Sequence, residues 1–255
     1  MPQHPPKLFS IITITYNAEQ HLEGTLRSVI GQTCIDYEYL IIDGGSTDGT
    51  LDIAKSHEDH IDLLVSEPDK GLYDAMNKGL RAARGTYLCF LNAGDHLRDP
   101  NVLADLKRLA ATEVDVLYGE TMIVREDRSE VGTFSETRPH NNLPDHLSYR
   151  DMRHGMVVCH QAFLPRRTLA PEYELGNLAA DIDWIIECLK RSRKTVNAQR
   201  ILIDFLEGGI SVQQHRKSLW GRYEVLKKHF GWLPNLAAHG WIVLRAALFR
   251  MRNRS

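Results

Sequence analysis

What most constrains this chain is a rhythm. Four short, apolar, β-branched segments end at Thr15, Asp43, Val65 and Leu91, 22 to 28 residues apart. Leu8 to Thr15, Tyr37 to Asp43, Ile61 to Ser66 and Thr86 to Leu91 read as buried strands. Between them, Glu19 to Ile30, Leu51 to Ser56 and Tyr73 to Arg84 read as helices. Leu22, Leu26, Val29 and Ile30 lie along one face of the first, and Met76, Leu80 and Ala83 along one face of the third. That interval suits strand–helix–strand units, which build parallel sheets with right-handed crossovers. The predicted class is α/β, a mostly parallel sheet flanked by helices.

After Asn92 the alternation weakens. Helices are predicted over Pro100 to Ala111 and Asp181 to Arg191, strands over Val114 to Tyr118 and Thr121 to Arg125, and a long loop over Thr137 to Arg153. A hydrophobic share of 43% and a charged share of 25% are ordinary for a folded chain, and a net charge of −2 gives no reason to invoke nucleic acid. Cys34, Cys89, Cys159 and Cys188 are scattered without metal-ligand or redox spacing, which fits a reducing compartment. The N-terminus lacks an apolar run behind basic residues, so no secretory signal is expected. No stretch approaches the roughly 18 apolar residues of a spanning helix.

In an open parallel sheet, ligands bind outside the carboxyl ends of the strands. There this sequence places Thr15-Tyr16-Asn17, Asp43-Gly44-Gly45-Ser46, Glu67-Pro68-Asp69-Lys70-Gly71 and Asn92-Ala93-Gly94-Asp95. Four polar ends in register predict one site. Asp43 either accepts hydrogen bonds from a base or ribose, with its glycines admitting close backbone approach, or closes an Asx turn. Asp95 follows two small residues that leave room for a diphosphate and a hard divalent cation. A glycine-rich loop of the dehydrogenase type after the first strand is absent, as is the basic loop of a nucleotidyltransferase.

The ordered set Ile12 to Asn17 with Glu19, Ile42 to Thr50, Asp69 to Gly79, and Phe90 to Asp95 resembles the inverting family 2 glycosyltransferases of GT-A (Rossmann-like) fold. The resemblance is strongest over residues 8 to 100. It continues to about 212 through Cys159-His160-Gln161, Ala180-Asp181-Ile182-Asp183-Trp184 and Gly208 to Ser211. The variant is most similar to enzymes of bacterial exopolysaccharide assembly. The resemblance implies transfer of a sugar from a UDP- or GDP-sugar donor to a hydroxyl of a glycan or lipid-linked saccharide. It implies a nucleotide-sugar site of Thr15, Tyr16, Asn17, Glu19, Asp43, Ser46, Asp69, Gly71, Asn77, Asn92, Ala93, Gly94, His160 and Gln161. Asp95 would hold Mg²⁺ or Mn²⁺, and Asp181 would be the general base. The family usually carries Asp-x-Asp-Asp at the metal turn, whereas Asn92 and Gly94 stand at its first and third acidic positions here. That departure keeps open an inactive sugar-nucleotide-binding or scaffold subunit. From the residues alone, Asp181 is either a base or the N-cap of its helix, and His160 either borders the sugar or is structural.

The chain divides into a catalytic domain over 1–212 and a basic, amphipathic helical region over 213–255. From His215 to Ser255 nine Lys and Arg face one acid, Glu224. Leu219 to Phe230 reads as a basic helix, and Gly240 to Ser255 places Trp241, Leu244, Leu248 and Met251 on one stripe among arginines. This is the pattern of a helix lying in an anionic membrane interface or, alternatively, of one docked on the catalytic domain or a dimer partner; the first reading predicts a cytoplasmic enzyme held peripherally at the inner face of the membrane. His215 is a candidate second metal contact, and Gly208-Gly209 a candidate hinge.

Overall fold

The computed structural model describes residues 7–137, 143–208 and 215–232, with the backbone alone at 215 and 216. The predicted rhythm is present. Strands β1 (Phe9–Thr15), β2 (Tyr37–Asp43), β3 (Leu63–Ser66) and β4 (Tyr87–Phe90) form a parallel sheet in the order β3-β2-β1-β4. Helices α1 (Leu22–Ile30), α2 (Thr50–Ser56) and α3 (Leu72–Ala82) connect them. A second sheet contains β5 (His96–Leu97), β6 (Val116–Val124), β7 (Glu130–Thr133), β8 (Phe163–Pro165) and β9 (Thr195–Leu206). A bridge between Tyr87 and Arg166 joins the edges of the two sheets.

Pleating sorts the strand residues into two cores. Phe9 and Ile11 of β1 pack with Leu22, Leu26 and Val29 of α1 and with Leu103 and Leu106 of α4 (Val102–Leu109). Ile12 and Ile14 pack on the opposite face, with Met76 and Leu80 of α3 and with Ile182, Ile185 and Ile186 of α5 (Ala180–Arg191). Both faces of the parallel sheet are therefore covered, the usual condition for strands that are apolar throughout. The last helix among the described residues, α6 (His215–Phe230), lies against α5 and contributes Val225 and Leu226 to the same core.

Four expectations change. The two strands predicted around residue 119 are one, β6, whose register shifts at Glu120 against β9. The twelve-residue β9 was not anticipated; its first half, Thr195 to Arg200, is too polar to read as a strand. The predicted long loop contains a 3₁₀ helix, Tyr149–His154, capped reciprocally by Ser148 and Asp151. The α5 N-cap is Ala179, so Asp181 lies inside the first turn and is not the cap. The stripe over Gly240 to Ser255 and the Gly209 half of the hinge lie outside the described residues, as does the His215 side chain.

Asn77 of α3 ties the N-terminal half to the segment before α5. Its Nδ2 donates to the Tyr173 carbonyl at 3.0 Å, and its Oδ1 accepts the Tyr173 N–H at 2.7 Å. Both residues are buried. Asn77→Ala strands two buried backbone groups, at about 1–3 kcal/mol each. Chemical denaturation is expected to show a loss of about 2–4 kcal/mol; a loss under about 1 kcal/mol would mean that water replaces the amide.

Candidate active site

The loops after β1 and β2 are knitted to each other. Asn17, at φ 47°, accepts the Thr47 N–H on its Oδ1 at 2.9 Å and donates its own N–H to Ser46 Oγ at 2.8 Å. Glu19 Oε2 accepts the Gly49 N–H at 2.8 Å. Asn17, Glu19 and Ser46 are thus engaged in shaping the paired loops, while Tyr16 is left 63% exposed beside Gly44.

Asp43 is buried, and its carboxylate is surrounded by its own loop. It accepts the Gly45 N–H at 3.0 Å, the Ser46 N–H at 2.9 Å, the Ser66 hydroxyl at 2.7 Å and the Ser46 hydroxyl. Three of these bonds fall on Oδ2 and one, from the Ser46 hydroxyl, on Oδ1, which keeps room for a further donor. The turn geometry left open by the sequence is the one adopted. Asp69 accepts the Gly71 N–H on one oxygen at 2.7 Å and lays the other over Gly44, where any Cβ would collide with it.

The turn after β4 is held from three directions. The Ala93 N–H donates to the Ile14 carbonyl at 3.1 Å, and the Gly94 N–H donates to Thr25 Oγ1 at 2.9 Å. Arg128, on the β6–β7 hairpin, donates to the Gly94 carbonyl at 2.9 Å. Asp95 is buried and accepts the Leu206 N–H at 3.0 Å, which fastens the end of β9 to the turn. Burial pushes its carboxyl up to about 7, against the opposing effects of the Leu206 N–H, the Gln161 side chain and the Arg128 charge. Two side-chain oxygens at this edge, Thr15 Oγ1 and Asn92 Oδ1, are buried without a hydrogen-bond partner among the described residues. Unsatisfied buried oxygens are rare in finished cores and fit a site that a ligand completes.

This turn suits a hard cation. The Asp95 carboxylate and the unpaired Asn92 Oδ1 are two oxygen donors of the right chemistry. Among the described residues, no group of three His, Cys, Asp or Glu side chains could enclose a metal ion. Beyond these two donors, ligands would come from a diphosphate, from water, as Mg²⁺ commonly accepts, or from residues outside the described ones.

From the turn a chain of contacts leads to α5. Gln161 reaches Asp95, and its neighbour His160 shares a 2.7 Å hydrogen bond between Nε2 and the Tyr173 hydroxyl. His160 is boxed by Phe90, Tyr173 and Trp184, and burial pushes its imidazole down to about 3, so it stays neutral. The Tyr173 ring stacks on Tyr73 at 5.6 Å; the Tyr73 hydroxyl donates to the Leu178 carbonyl at 3.1 Å and lies near enough to Asp181 to act on its carboxyl. Asp181 is partly buried, and that burial raises its carboxyl pKa, opposed by the Ile182 N–H, the Arg222 charge and the Tyr73 hydroxyl. Asp183 is separate: it pairs with His229 at 2.6 Å and with Lys228 at 3.0 Å, both on α6.

The structure thus assembles Thr15, Asp43, Asp69, Gly71, Asn92 to Asp95, Gln161 and Asp181 along one edge. It commits Asn77 to the Tyr173 backbone and His160 to an aromatic box. Sequence reasoning assigned no role to Tyr73, Tyr173, Arg128 or Arg222. Tyr73 lay in plain view two residues after Gly71, whereas nothing local marks Arg128 or Arg222.

Comparison with known proteins agrees with this architecture. The profile of Glycosyl transferase family 2 matches residues 10–171. A PGL/p-HBAD biosynthesis glycosyltransferase of Mycobacterium bovis is 31% identical over 205 residues, covering 77% of this chain and 75% of its own. The putative teichuronic acid biosynthesis glycosyltransferase TuaG of Bacillus subtilis is 24% identical over 234 residues, 88% of this chain and 90% of its own. Among solved structures, S. aureus TarS 1-349 in complex with UDP-GlcNAc superposes with a TM-score of 0.65 at 18% identity. That match covers 85% of this chain, which spans 64% of the TarS chain. The mannosyltransferase PcManGT of Pyrobaculum calidifontis, in complex with GDP-Man and Mn2+, gives 0.61 at 18% identity over 98% of this chain and 80% of its own. The chain belongs to glycosyl transferase family 2, and its fold is GT-A.

Asp95→Asn keeps an acceptor for the Leu206 N–H and removes the charge. Donor turnover, followed as nucleoside diphosphate release at fixed Mg²⁺, is expected to fall about 100-fold or more with little change in thermal midpoint. Turnover near wild type would remove Asp95 from the site.

Proposed function

We propose that the chain is an inverting glycosyltransferase. It moves a sugar from a UDP- or GDP-sugar to a hydroxyl of a glycan or lipid-linked saccharide in bacterial surface polysaccharide synthesis. The observation that carries the reading is the continuous run of contacts from Asp95 through Gln161, His160, Tyr173 and Tyr73 to Asp181. It sets a candidate base at a fixed remove from the turn that would receive a diphosphate. The two named relatives are described as glycosyltransferases of PGL/p-HBAD and teichuronic acid biosynthesis, and the solved neighbours hold UDP-GlcNAc and GDP-Man, which supports the substrate class.

In this reading the loops of Thr15 to Glu19 and Asp43 to Ser46 form the nucleoside end, and Asp69 with Gly71 borders the sugar. Asp43 acts by fixing that loop. Asp95, with Asn92, would hold Mg²⁺ or Mn²⁺, which when bound supplies positive charge against the departing diphosphate. The acceptor hydroxyl gives its proton to the Asp181 carboxylate as its oxygen bonds to the anomeric carbon. The bond from that carbon to the diphosphate breaks, the electron pair leaves with the diphosphate, and one displacement inverts the centre. Asp183, paired with Lys228 and His229, is not available for this.

The test is Asp181→Asn. The expected result is kcat lowered by about 100-fold or more with donor affinity by calorimetry unchanged, and an inverted linkage by proton NMR of the wild-type product. Retained configuration would refute the single displacement. A wild-type chain that binds donor and releases no nucleoside diphosphate with any acceptor would be a binding subunit.

Membrane attachment belongs to the same proposal. No helix among the described residues is long and apolar enough to cross a membrane. On α6, Leu219 and Trp220 are 46% and 66% exposed, Trp220 stacks on Tyr223, and Trp232 beyond it is 60% exposed. Exposed tryptophans among lysines suit an anionic interface, each basic residue adding about 1 kcal/mol near the surface. Full-length protein is expected to sediment with anionic vesicles, less so as salt rises, and a Trp220→Ala/Trp232→Ala variant to bind several-fold more weakly. Equal binding by both, or none by either, would make α6 a purely packing element.

A further inference from the structure

The C-terminal helix is fastened to α5 at two points, and one side chain between those points remains unexplained. At the first, Gly221 sits so close to Asn177 that a Cβ there would collide with the Asn177 carboxamide and lie 3.4 Å from the Ala179 N–H. Asn177 Nδ2 also donates to the Gly221 carbonyl at 3.5 Å. At the second, two turns on, His229 and Lys228 pair with Asp183, with the His229 side chain only 1% exposed. Val225 and Leu226 fill the space between. Arg222 follows Gly221 in this docked stretch; its guanidinium lies near Gly155, and its charge acts on Asp181, two residues beyond Ala179, from more than ion-pair distance. Its Nε is buried and has no hydrogen-bond partner among the described residues. Proteins seldom bury part of a guanidinium unpaired unless the charge is used.

The groups that face Asp181 come from four places. They are the Ile182 N–H on its own helix, the Tyr73 hydroxyl from α3, the Tyr173 ring from the segment before α5, and Arg222 from α6. Arg222 is the one cation among these described groups. We propose that Arg222 is a positioning residue for Asp181: the docked α6 holds a fixed positive charge near the carboxylate, beyond ion-pair distance, and favours its charged form. The inference rests on Asp181 being the base and extends it, making the catalytic centre depend on the docking of the C-terminal helix.

The physical case is direct. Removing a carboxylate from water favours its neutral form, and a neutral acid cannot take a proton. A nearby cation opposes that effect. Taking the cation away therefore raises the carboxyl pKa, and the acid limb of the kcat profile moves to higher pH. Arg222 lies against α5 and not the nucleotide loops, so donor KM is unaffected.

The experiment compares pH profiles of kcat and donor KM for full-length wild type, Arg222→Lys, Arg222→Gln, Gly221→Ala and Asp181→Asn, with folding checked by circular dichroism. Arg222→Lys is expected to follow wild type. Arg222→Gln is expected to shift the acid limb upward by about one pH unit, with donor KM within about twofold and partial recovery of kcat at alkaline pH. Gly221→Ala, which displaces the Asn177 carboxamide and with it the hydrogen bonds to the Gly221 carbonyl and the Ala179 N–H, loosens the docking of α6 and is expected to shift the limb in the same direction. An Arg222→Gln limb at the wild-type position, or a loss equal at every pH, overturns the proposal. If that variant fails to fold, an unshifted Gly221→Ala profile overturns it instead. Wild-type turnover in Asp181→Asn would remove the base itself; an inactive Asp181→Asn beside an unshifted Arg222→Gln would remove only the role of Arg222.

Discussion

In the central sheet, Thr15 pairs with Asp43, and Asp43 with Ser66, in one parallel row. Because β1, β2 and β3 end level, their loops leave the sheet at one height and bond to each other instead of to solvent. The Ser66 hydroxyl closes the Asp43 turn, and Asn17 and Glu19 clasp the following residues. A slip of one residue in this register would turn Asp43 to the other face and exchange the two cores. The nucleotide side of the site is thus a consequence of strand register, enforced by Ile11 and Tyr39 on one face and Ile12 and Leu40 on the other.

The side that carries Asp181 depends on a different interaction. Phe90 of β4, His160, Tyr173 and Trp184 of α5 form one aromatic cluster, with Tyr173 and Trp184 stacked at 4.9 Å. The cluster carries few polar atoms, and those it has are paired: His160 with Tyr173, and Trp184 Nε1 with the Pro171 carbonyl at 2.8 Å. Rings of this size bury large areas while losing little side-chain freedom. They set the angle at which α5 meets the sheet, and so where Asp181 stands relative to the turn at Asp95. His160, kept neutral by burial, is a spacer between Asp95 and Asp181.

The difference in range between these two interactions explains what was legible in the sequence. The β1 to β4 units are local, so apolar alternation and the polar strand ends revealed both the elements and the Asp43 and Asp95 turns. β9 is held by partners far along the chain, against β6 and β5. Its first half carries no apolar pattern because only its later residues, such as Leu202 and Ile203, are fully buried. The roles of single residues were less legible still. Asn77 and His160 occupy motif positions that suggest ligand contact, yet their polar atoms meet Tyr173, whose place depends on the folded second half.

Asp181 and Asp183 illustrate how two identical side chains acquire opposite fates. Two positions apart on a helix, they point in different directions. Asp183 turns toward α6, where Lys228 and His229 neutralise it; its carboxyl pKa is lowered, since those two partners outweigh its burial. Asp181 turns toward Tyr73 and the chain of rings, where burial wins and the carboxyl is left less acidic. A paired carboxylate is a poor base because its charge is already committed, and a wholly unpaired buried one loses its charge. The position of Asp181 lies between these limits, with a hydroxyl and a cation near enough to be felt and an environment that discourages ionisation. The same helix that neutralises Asp183 brings that cation, so anchoring and electrostatics at this edge are properties of one packing contact, α5 against α6.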